Sequence, residues 1–248
     1  MAINWIDTEI IEHVRWTDFL ASLKFKGNVL PYSAGQFTKI GLKINGELVS
    51  RPYSYVSSPE EDYLEIVYVN VPGGVLTPEL HKLEAGDKLF TMDKASGFFI
   101  MDEVPDGKNL WMLATGTGIG VFISLLKTDA PWKRFENIIL VHGVRTKNEL
   151  AYHDQIKKYE KLYPEKFSYI KTVTREKIDG CLNMRIPVAI KNNEFEKISG
   201  ISITKDSQFM VCGNPDMIND TVELLGKSGL KRNRRSKPGN ITLEKYWN

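Results

Sequence analysis

The spacing of apolar residues changes near residue 104. Before it, short segments alternate apolar and polar positions, the rhythm of strands with one wet face. Segments 10–15, 21–26, 36–42, 53–56, 64–69 and 89–92 follow this pattern and are rich in β-branched and aromatic residues. Pro31, Gly35, Asn45-Gly46 and Gly86-Asp87 punctuate them, and Asn-Gly is a strong hairpin signal. Thr77-Pro78 opens one short helix over 79–83. Many short strands at this spacing predict an antiparallel β-barrel. Beyond residue 104, strands at 110–114, 138–141, 168–173 and 209–212 alternate with helical patterns at 120–127, 150–162, near Ile186-Pro187, and at 216–226. That alternation predicts an α/β domain with a doubly wound parallel sheet. Segment 101–108, with Pro105 and Gly107, reads as the linker, so the domains are 1–103 and 104–248. Open α/β sheets carry ligands at the carboxyl ends of their strands. Segments 115–120, 142–145, 174–175 and 212–214 therefore share one edge.

The run from Leu110 to Leu126 contains no charge and sets Gly116, Gly118 and Gly120 at alternate positions. A membrane span needs about 20 apolar residues, and three central glycines weaken such a helix. Strand, glycine turn, helix is instead the layout that aims backbone N–H groups at a phosphate. The pattern is G-x-G-x-G, with Val121 where the dinucleotide fingerprint has its third glycine. The next strand ends in His142-Gly143-Val144-Arg145. It lacks the acidic residue that binds a ribose 2′-hydroxyl, and an arginine there suits a 2′-phosphate, which points to NADP(H).

At 248 residues there is room for two domains and an ample core. A net charge of +2 argues against general nucleic-acid binding. Cys181 and Cys212 are too few to ligate an iron–sulfur cluster alone, and the four histidines show no metal-ligand spacing, so no metal is expected. The N-terminal segment has neither a basic region nor a long apolar core, and a cytoplasmic, non-membrane protein is expected.

Arg51-Pro52-Tyr53-Ser54 sets a cation, a flat ring and a hydroxyl within four residues. An arginine can grip a diphosphate and a tyrosine can stack on a planar ring, although alternation in any strand can produce the same string. In combination the motifs are more specific. R-x-Y-S preceded by Ala34-Gly35-Gln36-Phe37, then a G-T-G turn, then Cys212-Gly213-Asn214-Pro215, resembles the ferredoxin–NADP+ reductase family over essentially the whole chain. The ending in Tyr246-Trp247 after Lys231-Arg232-Asn233-Arg234-Arg235 is similar to its bacterial flavodoxin/ferredoxin branch.

The resemblance implies FAD and NADP(H) as cofactors. Arg51 would hold the FAD diphosphate, with Pro52 at a variable position beside it. Tyr53 would stack on the isoalloxazine and Ser54 would sit near N5. Tyr68, Val69 and Asn70 would line the flavin by backbone. Val75, Leu76 and Thr77 would form a second diphosphate turn, Thr117 would meet the flavin–nicotinamide crevice, and Tyr246 and Trp247 would cover FAD. NADP would lie on Gly116, Gly118, Arg145, Thr174, Arg175, Arg185, Cys212, Gly213 and Asn214, with Cys212 near the nicotinamide. Ser54, Tyr53 and Cys212 are the catalytic candidates, and Asn248 extends the chain past the terminal aromatic.

The implied activity passes electrons between NADPH and a one-electron carrier, flavodoxin or ferredoxin, through FAD. The sequence displays no acid–base dyad. By default the basic run from Lys231 to Lys237 is a solvated loop, His142 is structural and Cys212 is a small buried hydrophobe. As a patch, Lys231, Arg232, Arg234 and Arg235 would dock an acidic carrier on a monomer. A free-flavin or oxygenase-component reductase of the same superfamily, and a non-catalytic NADP(H)-binding redox sensor, are the alternatives.

Overall fold

The computed structural model describes residues 4–245. The terminal aromatics Tyr246 and Trp247, expected to cover FAD, and Asn248 lie outside the described residues.

The first sheet holds β1 (Trp5–Arg15), β2 (Leu20–Lys26), β3 (Phe37–Ile44), β4 (Glu47–Ser54), β5 (Leu64–Val69) and β6 (Lys88–Met92), with the helix α1 (Thr77–Lys82) between the last two. Its order is β4-β3-β6-β1-β2-β5, antiparallel throughout. The two ends of the sheet meet. Tyr55, just past β4, bridges Ile66 of β5, and the Val56 N–H donates to the Glu65 carbonyl at 2.8 Å. The sheet thus curls into the expected barrel around a core that includes Ile10, Leu23, Phe25, Ile40, Tyr55, Ile66 and Tyr68. Asn45 (φ 52°) and Gly46 (φ 86°) form the β3–β4 hairpin turn, the left-handed pair such a tight connection requires. β1 starts earlier than its alternation suggests. It pairs with β6 over Trp5–Glu9 and with β2 onward, and a register shift between Ile10 and Glu12 breaks the period.

The second sheet holds β7 (Asn109–Thr115), β8 (Asn137–Val144), β9 (Phe167–Val173), β10 (Ser207–Gly213) and β11 (Ile241–Lys245), all parallel, in the order β11-β10-β7-β8-β9. Its helices are α2 (Ile119–Leu126), α3 (Asp129–Arg134), α4 (His153–Leu162), α5 (Ile186–Lys191), α6 (Glu194–Ser199) and α7 (Pro215–Lys227). Along β7, Leu110, Met112 and Ala114 face one core, and Trp111 and Leu113 the other. A strand buried on both faces needs no polar residue, which explains the unbroken apolar run. α4 begins later than its pattern because a Thr146/Glu149 capping box closes a separate 3₁₀ turn, and Tyr152 then takes φ 60°.

The core on the Leu110 face is shared between the domains. Barrel residues Leu20, Val56, Val67 and Phe99 pack in one cluster with Phe122, Ile123 and Leu126 of α2. Segment 101–108 is correspondingly no loose tether. Met101 and Val104 are buried, and Arg134 of α3 donates to the carbonyls of both. Polar contacts cross the same seam: Tyr152 donates to the Glu65 carboxylate at 2.8 Å, and Lys127 pairs with Glu61 at 2.8 Å. Among the described residues no helix is long and apolar enough to cross a membrane.

Candidate active site at the domain seam

The carboxyl ends of β7, β8, β9 and β10 come together as the alternation predicts. Asn214 donates its backbone N–H to Thr115 Oγ1 at 2.8 Å. Arg175 donates its N–H to the Arg145 carbonyl at 2.9 Å, and Thr174 its own to the Val144 carbonyl at 3.1 Å. Gly213 sits at φ 130°, and a Cβ there would lie 2.1 Å from Thr115 Oγ1, so only glycine permits this crossing. The other glycines divide their tasks. Gly118 and Gly120 are buried packing residues: a Cβ on the first would meet the Cys212 carbonyl at 2.7 Å, and on the second Val67 of the barrel at 2.7 Å. Gly116 alone of the three has a positive φ and open space beside it.

On this edge the guanidiniums of Arg145, Arg175 and Arg185 are exposed, and among the described residues no carboxylate pairs with them. Three unneutralised cations at the ends of parallel strands fit a phosphorylated ligand. Cys212 is different: its side chain is fully buried in the shared core beside Ala114.

On the barrel side, Arg51 is exposed and donates to the Ser50 carbonyl, again with no carboxylate partner among the described residues. Two positions on, Tyr53 is half-buried, and desolvation pushes its phenol up to about 12. Pro52 lies in β4, at one end of the sheet order, where a missing donor is tolerated. Tyr68 and Leu76 turn their side chains into the barrel core, so each can offer a ligand only backbone. Val69, Val71 and Val75 are exposed instead, 44%, 50% and 57%, an apolar rim that a flat ring system would cover. Among the described residues the buried Asn70 amide oxygen has no hydrogen-bond partner, and Thr77 Oγ1 accepts from the Val71 N–H at 2.9 Å. An exposed cation, an uncovered apolar rim and an orphaned acceptor together fit FAD.

Between the two halves, Ser54 donates its hydroxyl to the Glu244 carboxylate at 3.2 Å. Burial pushes Glu244 up to about 7, with the Ser54 bond opposing the shift. Glu244 therefore exchanges a proton near neutral pH, next to the serine expected at the flavin. Glu244 is a residue of the seam that the sequence does not single out. β11 places Glu244 in register with Cys212. The only signal was the weak alternation of Ile241-Thr242-Leu243-Glu244, too short to read as a strand without β10 beside it.

The basic run is not uniform. Arg235 donates to Glu103, holding that carboxyl below its ordinary range, and lies 3.8 Å from the Phe98 ring centroid. It clasps the segment after α7 to the barrel, and its charge is paired rather than free. Lys231, Arg232 and Arg234 are exposed without ion pairs among the described residues.

Residues 7–92 match the family of oxidoreductase FAD-binding domains and residues 112–223 that of oxidoreductase NAD-binding domains. Fold and site thus define a two-domain flavin- and pyridine-nucleotide-dependent oxidoreductase. The chain is 43% identical to the flavodoxin/ferredoxin–NADP reductase of Escherichia coli (strain K12), over 98% of its own length and 99% of that protein. It is 35% identical to the ferredoxin–NADP reductase of Pseudomonas aeruginosa, over 98% and 97%. A crystal structure of a ferredoxin NADP+ reductase from Neisseria gonorrhoeae, with bound FAD and NADP, superposes with a TM-score of 0.93 at 31% identity, covering 98% of this chain and 99% of that one. The chain belongs to the flavodoxin/ferredoxin–NADP reductase family.

Proposed function

We infer that the protein is an FAD-dependent oxidoreductase exchanging electrons between NADP(H) and flavodoxin or ferredoxin. The observation that carries this reading is the seam, where Ser54 of the barrel meets Glu244 of the parallel sheet. When bound, FAD supplies the conversion between two-electron and one-electron transfer. The chain supplies the rest. Arg51 and the 75–77 turn hold the FAD diphosphate, and Tyr53 stacks on the ring. Arg145, Thr174, Arg175 and Arg185 bind the 2′-phosphate half of the nucleotide, and Gly116, Gly118, Thr117, Gly213 and Asn214 shape its path toward the seam. Cys212 closes the floor beneath the nicotinamide. Ser54 and Glu244 hold a proton at the meeting point and release it to solvent.

The finer reading divides the domains after residue 103 and assigns docking of an acidic carrier to Lys231, Arg232 and Arg234, on a cytoplasmic monomer. The support is the exposure and unpaired charge of these three residues. The test is the visible spectrum of the purified protein under anaerobic conditions, before and after NADPH, followed by turnover with flavodoxin and with ferredoxin. Flavin absorbance that bleaches with NADPH and recovers on adding a carrier is expected. A colourless protein that cannot take up FAD would overturn the reading.

A further inference from the structure

His142 lies on β8, fully buried, one strand away from the glycine turn that follows β7. Its Nε2 is 3.1 Å from the Gly116 carbonyl oxygen. A carbonyl only accepts, so Nε2 carries the proton and donates. Nδ1 is then an acceptor, and the Tyr169 hydroxyl of β9 faces it at 3.5 Å, a long contact that fits the same tautomer. Burial holds His142 neutral, down to about 4, and pushes the Tyr169 phenol up, so both keep these roles at neutral pH. The Ile119 N–H, at the start of α2, also donates to the Gly116 oxygen. Two donors from different elements therefore pin one carbonyl.

That carbonyl needs pinning. Gly116 is at φ 54° with nothing within 4 Å of the place a Cβ would occupy. Glycine crosses between positive and negative φ at little cost, so Gly116's own torsions do little to hold this peptide. The peptide unit is planar and trans, so its C=O and N–H point in opposite directions. With the Gly116 oxygen held toward buried His142, the Thr117 N–H of the same peptide points away from His142.

We propose that His142 is a positioning residue for nucleotide binding: it locks the Gly116–Thr117 peptide so that the Thr117 N–H faces the diphosphate and nicotinamide half of NADP(H). This rests on the NADP(H) site proposed above and adds a residue that does not itself touch the ligand. A core histidine with no such role would need only to fill its space.

The tests use the FAD-loaded protein. In the unsubstituted chain, the ring ¹⁵N resonances of His142 report the Nε2–H tautomer; an Nδ1–H tautomer leaves no donor for Gly116 and overturns the proposal without any variant. Calorimetric titration then compares NADP+ with 2′-phospho-AMP, which carries the adenosine half alone. His142→Leu is expected to weaken NADP+ binding about tenfold, the equivalent of ~1.4 kcal/mol, and to leave 2′-phospho-AMP unchanged. His142→Gln, which keeps a donor near the Nε2 position, is expected to restore NADP+ affinity to within about threefold. Equal NADP+ affinity in His142→Leu and the unsubstituted protein overturns the proposal. So does equal weakening of both ligands, which marks general damage to the sheet. Failure of the unsubstituted protein to bind 2′-phospho-AMP overturns the underlying site assignment instead.

Discussion

Ser54 and Glu244 are separated by 190 positions and meet at 3.2 Å across the seam between the two sheets. Ser54 ends a barrel strand and Glu244 lies on the parallel sheet's edge strand. The pair exists only when both sheets are formed and docked.

Glu244 makes stability depend on pH. Its folded value is about 7 against an ordinary 4.5, so the native state holds a proton that the unfolded chain has lost between these values. Stability falls as pH rises through that window and levels off above it. The fall is on the order of 1–2 kcal/mol, less than the full shift because the carboxyl is partly open to water. Thermal unfolding of the FAD-loaded protein from pH 4.5 to 8 measures it. Glu244→Gln is expected to flatten that part of the curve and to remove a step near pH 7 from the pH profile of turnover.

Arg175 extends from the end of β9 with no acidic partner among the described residues. A charge-assisted hydrogen bond to a 2′-phosphate is available to NADPH and absent from NADH. Arg175→Ala is expected to weaken NADPH binding by about 10–100-fold and NADH binding by less than about threefold. Titrations with both nucleotides decide it; equal losses place the 2′-phosphate elsewhere.

Gly120 sits inside α2, where alanine is ordinarily better by about 1 kcal/mol. Here the Cβ would lie 2.7 Å from a Val67 methyl and 2.9 Å from a Val56 methyl. Overpacking of this kind costs about 1–3 kcal/mol, so the seam outweighs helix propensity. Gly120→Ala is expected to lower the thermal midpoint and loosen FAD retention. A midpoint at or above that of the unsubstituted chain would show that the seam yields without strain.

Arg232 and Arg234 differ from Arg235, which is engaged by Glu103 and Phe98. Arg232→Glu with Arg234→Glu is expected to raise the KM for an acidic carrier about tenfold and to flatten its dependence on salt. Arg235→Ala is expected to act chiefly on stability, through the lost clasp to the barrel. Steady-state turnover at two ionic strengths separates the two effects.

Local chemistry determined much of this protein before any folding was considered. Alternation marks the barrel strands, the uncharged run marks β7 and α2, and Asn45-Gly46 selects its own turn. The absence of an acidic residue after β8 already points to a phosphorylated ribose. Such features depend on neighbours in the chain, so the chain displays them. Tertiary structure decided the rest. β11 is five residues long and becomes a strand only because β10 presents unpaired backbone groups beside it. The division of work among Gly116, Gly118 and Gly120 depends on what stands opposite each. Glu244 reads as a surface carboxylate until the seam removes water from it, and Arg235 as a docking cation until Glu103 and Phe98 arrive from the other domain. In each case the deciding contact comes from residues distant in the chain, and no local pattern encodes which groups docking brings together.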